Sequence, residues 1–153
     1  SGKTLRMLAT GWKLSPLVRV SSGPSLNVTS GTDVALNSIS NQRPNKVVAD
    51  PYLDKDGLKY LNPAAFTPAA PGSLGTANAG TVVGPPVWQF DASLSRSFRI
   101  SETQRFEIRA EAFNLVNGFR RANPTTALNQ ATFGQINSAL DPRIMQFALK
   151  YVF

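Results

Sequence analysis

The fold turns on Val87-Trp88-Gln89-Phe90-Asp91-Ala92-Ser93-Leu94-Ser95-Arg96-Ser97-Phe98-Arg99-Ile100, a run that alternates by position. Trp88, Phe90, Ala92, Leu94, Phe98 and Ile100 share one parity, and Gln89, Asp91, Ser93, Ser95, Ser97 and Arg99 the other. Side chains on a strand project to opposite faces in turn, so period-2 alternation predicts a long β-strand with one greasy and one wet face. Arg96 is the single charge on the greasy parity. After Ser101-Glu102-Thr103-Gln104 the pattern resumes in Arg105-Phe106-Glu107-Ile108-Arg109-Ala110-Glu111-Ala112. Two alternating runs joined by a short polar segment predict an antiparallel hairpin. Phe113 and Leu115 then fall on the charged parity, which predicts a bulge or the sheet's rim just after Ala112.

Further strands are expected on either side of this hairpin. Trp12, Leu14, Val18 and Val20 alternate with Lys13, Ser15 and Arg19, while Pro16 lies on the apolar parity. Proline cannot donate to a ladder, which points to an edge position or a bulge. Met145, Phe147, Leu149, Tyr151 and Phe153 share a face in the final stretch. Ser1 to Thr10 reads as a short strand or arm. Between these lie polar, Gly- and Pro-rich connections over residues 22–86 and 117–142, within which Asn62-Pro63-Ala64-Ala65-Phe66 has the cap and first-turn chemistry of one helical turn. The expectation is a single all-β segment over 1–153. It consists of long antiparallel up-and-down strands near 12–21, 87–100, 105–116 and 143–153, open-edged unless other chains complete it. Long and short connections alternate, which gathers the long loops at one end of the sheet and the short turn at the other, the asymmetry of outer-membrane barrels.

Composition narrows the function. The chain has 153 residues with neither Cys nor His. Disulfides and thiolate metal sites are excluded, and the commonest general base is missing. No enzyme activity and no cofactor are expected. The net charge of +7 permits an anionic partner, yet no nucleic-acid motif accompanies it and no nucleic-acid partner is expected. No apolar run is long enough for a transmembrane helix, which does not bear on a barrel. The only metal-ligand candidates are Asp50, Asp54 and Asp56. Asp54-Lys55-Asp56-Gly57 resembles part of a calcium loop, but Tyr52 and Pro63 occupy positions where further acids belong, so a solvated turn is expected. Arg99, Arg105, Glu107, Arg109 and Glu111 are expected to form a charge ladder on the wet face, neighbours two apart pairing with one another.

Several stretches together resemble the C-terminal end of a TonB-dependent outer-membrane receptor of acidobacterial type. They are Gly11-Trp12-Lys13-Leu14-Ser15, Ser30-Gly31-Thr32-Asp33, Asn41-Gln42-Arg43-Pro44-Asn45, Asn62-Pro63-Ala64-Ala65-Phe66, Phe90 to Phe98, Phe106 to Leu115, Phe133-Gly134-Gln135-Ile136, and Asp141 to Lys150. Phe153 is similar to the terminal aromatic used in barrel assembly. The resemblance implies about the last four strands of a 22-stranded barrel, with the plug and most of the barrel missing. It also implies an outer-membrane or cell-surface-released location and, for an intact receptor, energised uptake of siderophores, vitamins or glycans.

Four strands cannot close on themselves, since about eight make the smallest common barrel. Two open edges then offer unpaired N–H and C=O groups to another chain, and a large apolar patch faces outward. The expected function is therefore a barrel fragment that self-associates through its strand edges and apolar face as the structural subunit of a tube or filament. Its association residues would be Trp88, Phe90, Leu94, Phe98, Phe106, Ile108, Phe147, Tyr151 and Phe153. The alternative is the last strands of an intact transport receptor. The expected partners are other copies of the chain, outer-membrane lipid or the rest of a receptor barrel.

Overall fold

A computed structural model describes residues 9–153; the strand or arm expected at Ser1 to Thr10 lies largely outside the described residues. Eight strands follow in order: β1 Trp12–Ser21, β2 Ser25–Leu26, β3 Asn45–Lys46, β4 Phe66–Thr67, β5 Val82–Val83, β6 Val87–Arg99, β7 Arg105–Phe113 and β8 Ile144–Val152. The chain divides into two compact units.

The first unit holds a four-stranded sheet in the order β1-β6-β7-β8. β6 and β7 are antiparallel, with Ala92 opposite Ala112 and Phe98 opposite Phe106. β7 and β8 are antiparallel, with Phe106 opposite Tyr151 and Phe113 opposite Ile144. β1 lies beside β6 with Trp12 near Arg96 and Arg19 in a common cavity with Gln89, so it too runs antiparallel to its neighbour. Among the described residues β1 and β8 are not paired with each other, and the sheet is open. Pro16 sits in one of the two outer strands, where a missing N–H costs least.

β7 stops at Phe113 because the backbone turns there. Asn114 and Asn117 take φ values of 51° and 51°, a left-handed conformation that asparagine tolerates better than most residues. The phase slip after Ala112 is thus the rim of the sheet and not a bulge within it. The short turn joins β6 to β7 at one end. The connection from β7 to β8 and the one leading into β6 belong to the other end.

Those two connections are more ordered than their composition predicts. Ser21–Val87 and Arg120–Leu140 form the second compact unit, where the sequence reading expects long polar connections with one helical turn at Asn62–Phe66. Its core is Val28, Tyr60, Leu61, Ala65, Phe66, Val82, Phe133 and Ile136. These residues follow no helical or strand period, so no pattern in the chain announces them. The rings of Phe66 and Phe133 meet edge to face at 5.9 Å. Backbone polar groups are satisfied in short pieces: β2 with β5, β3 with β4, and single bridges such as Lys59 with Gln135. Asn62 caps the 3-10 turn Pro63–Ala65, its side chain accepting from the Ala64 N–H at 3.0 Å.

Candidate functional site

The sheet carries two chemically distinct surfaces. On the apolar face the register lines up side chains across three strands. Phe98, Phe106 and Tyr151 make one row, Leu94, Ala110 and Phe147 another, and Ala92, Ala112 and Met145 a third. Phe147 and Leu149 are 76% and 73% exposed, and Trp88 is 54% exposed. Phe153 follows β8, with its ring 6.1 Å from that of Tyr151. Of the nine association candidates, this register brings Leu94, Phe98, Phe106, Ile108, Phe147 and Tyr151 onto one continuous surface. Trp88 and Phe90 share its parity at the start of β6. The alternating burden of bulk and exposure is that of a surface meant for an apolar solvent, since water would penalise about 25 cal/mol per Å² of it.

Arg96 breaks that face chemically yet is buried. Its guanidinium lies 4.4 Å from the ring centroid of Phe98 and 5.5 Å from that of Trp12. Cation–π contact with two rings is a way to keep such a charge on an apolar surface. The parity of Trp12 and Phe98 was readable from the sequence; that β1 would lie against β6 to bring them together was not.

The opposite face carries the sheet's other charges and most of its hydrogen-bonding side chains, with Leu17, Phe113 and Ile144 among them toward one end. Arg109 bonds Glu107 at 2.8 Å and approaches Glu111 at 3.7 Å, so neighbours two apart on β7 do pair. Glu107 also stands opposite Lys150. Arg99 stands directly opposite Arg105 beside the short turn, a like-charge pairing that costs stability. Near the other end an open cavity of about 410 Å³ is lined by Ser15, Arg19, Gln89, Asp91, Ser93 and Glu111 among others. Asp91 is buried there and accepts from the Gln89 side chain at 2.6 Å and from the Asn114 N–H at 2.8 Å. Asn114 in turn bonds the backbone of Gly118 and Asp141. Asp91 and Asn114 therefore tie the rim of β6, β7 and β8 together. Sequence reading placed Asp91 on the wet face but missed this role, because the partner lies 23 residues away.

Asp50, Asp54 and Asp56 are spent locally. The Asp50 carboxylate accepts from the Tyr52 N–H and that of Asp54 from the Asp56 N–H, while Lys55 stacks on the Tyr52 ring. Among the described residues no group of three acids gathers as a metal site. A second feature went unread in the sequence. The exposed tip around Leu36 has φ of 59° at Leu36 and 67° at Ser38. The Asp33 carboxylate holds it, accepting from Asn37 N–H, Ser38 N–H and the Gln42 amide. Burial raises the Asp33 pKa, but these donors outweigh it and leave the carboxyl below its usual value.

Open antiparallel strands with one lipid-type face and one polar face define a barrel-wall segment. The family model described as outer membrane beta barrel domain matches residues 1–146, and the chain belongs to that family. Membership assigns it to the outer membrane. No curated protein and no solved structure matches the chain.

Proposed function

We propose that this chain furnishes four adjacent wall strands of a TonB-dependent transport receptor, acting as scaffold and ligand passage and not as an enzyme. The observation that carries this reading is the matched pair of surfaces: aromatic and aliphatic rows on one face, a charged and hydrogen-bonding lining on the other. Short-turn and long-connection ends support it, since outer-membrane barrels place short turns on the periplasmic side and long loops outside. The solute carried by such a receptor would be a siderophore, vitamin or glycan.

Both tryptophans of the chain, Trp12 and Trp88, lie on the apolar parity, which supplies a clean test. In proteoliposomes, brominated acyl chains should quench most of the tryptophan emission while aqueous iodide leaves it nearly intact; the reverse result overturns the lipid-facing assignment. The receptor assignment is tested in cells expressing the chain in its natural genomic context. Uptake should collapse when the proton-motive force is dissipated, and uptake that persists would mark a passive pore.

A second reading rests on a different observation. Every residue of β1 is exposed, and every residue of β8 but Val152. Neither edge is covered by the described residues, so copies of the chain can supply each other's missing neighbours and build a tube or filament.

A further inference from the structure

Building on that second reading, we infer which edges meet: β8 of one copy pairs antiparallel with β1 of the next. Spatial order and direction carry the inference. β1 and β7 run one way, β6 and β8 the other, so directions alternate across the sheet. The two outermost strands are therefore antiparallel to each other. A second copy in the same orientation, rotated about an axis along the strands, sets its β1 against β8 with the alternation unbroken. All short turns then stay at one end and all long connections at the other. Pairing β8 with β8 reverses one copy and puts long connections at both ends, which a barrel wall with one outer side does not accommodate.

Side chains support the same seam. The two strands are of nearly equal length, ten and nine residues. Matched end to end, Phe147 lies opposite Val18 and Leu149 opposite Pro16, so the apolar face runs on across the seam. On the polar face Arg19 meets Gln146 and Lys150 meets Ser15, with no like charges opposed, a match that cross-strand pairing rewards. Pro16 removes one donor and the remaining ladder is intact. Because two different edges meet, the contact is heterologous, and successive copies close into a ring or run on as an open assembly. Two copies supply eight strands, about the smallest number that closes.

The chain has no cysteine, so introduced thiols report this seam alone. Leu17 and Ala148 are opposite in the matched register, where Cα atoms sit roughly 4.5–5.5 Å apart, inside the range a disulfide spans. Leu17→Cys and Ala148→Cys chains are prepared separately in detergent micelles, checked for β signal by circular dichroism, then mixed and oxidised. The expected result is a cross-linked dimer in the mixture and none in either variant alone, with Ser15→Cys or Arg19→Cys partnering Ala148→Cys more weakly. A dimer from Ala148→Cys alone overturns the proposal in favour of β8 against β8. Oligomers by sedimentation with no cross-link at any of these positions overturn this seam but leave self-association standing. Monomers by sedimentation overturn both.

Discussion

At the scale of single residues, two positions show how much the second unit depends on backbone detail. Gly134 has φ of 77°, and its carbonyl accepts from both Tyr60 and Leu61 N–H at 2.9 Å. A Cβ here would stand 2.6 Å from the Leu61 carbonyl oxygen, which is backbone and cannot swing away. Gly134→Ala should therefore cost on the order of 2 kcal/mol or more, left-handed strain adding to the clash. Chemical denaturation followed through the tyrosines Tyr52 and Tyr60 reads this; an unchanged midpoint would contradict the placement of Gly134. Asp33 gives a pH signature. Its folded pKa is depressed, so its contribution is present above the usual value of 3.8 and disappears as pH falls through the lower folded value. The amide signals of Asn37 and Ser38 should hold position at neutral pH and move together in acid below about 3.8. In Asp33→Asn that acid transition should be absent.

At the scale of elements, the sheet was legible because alternation is a local signal. Period-2 alternation over the fourteen residues 87–100 and the eight residues 105–112 states the strands and their faces without reference to any partner. The charge ladder was legible for the same reason, since Glu107, Arg109 and Glu111 are neighbours on one strand face. The second unit was not. Val28, Leu61, Val82 and Phe133 converge from across more than a hundred residues, in turns, irregular segments, a two-residue strand and a single bridge, none long enough to carry a period. The faces themselves can be tested by a pair of changes at consecutive positions of β8. Phe147 is on the apolar face, and Phe147→Arg should cost about 2–4 kcal/mol in a bilayer if that row sits near its midplane. Ala148 stands on the polar face opposite Arg109, and Ala148→Glu should be close to neutral. Equal penalties for both, measured by unfolding from lipid vesicles, would mean that the strand is not lipid-facing on one side only.

At the scale of the whole molecule, the two units draw stability from different sources. The second unit has a buried core of its own, within which Leu61 is 1% exposed. The sheet unit leaves its large apolar side chains outward, and its persistence depends on what solvates them. Leu61→Ala removes packing that nothing nearby can refill, and such changes cost about 2–5 kcal/mol. In detergent, that loss should fall on the second unit: amides of Leu61, Ile136 and Thr29 should exchange faster while those of β6, β7 and β8 keep their protection. Diluting the detergent below its micelle concentration should do the opposite. The strands should associate or lose protection first, because the apolar rows through Phe147 and Leu149 then face water. Hydrogen exchange resolved by segment distinguishes the two responses. If Leu61→Ala loosened β6 to β8 as much as residues 58–61, the sheet would owe its order to the loop core and not to lipid or neighbouring strands, and the barrel-wall reading would lose its physical basis.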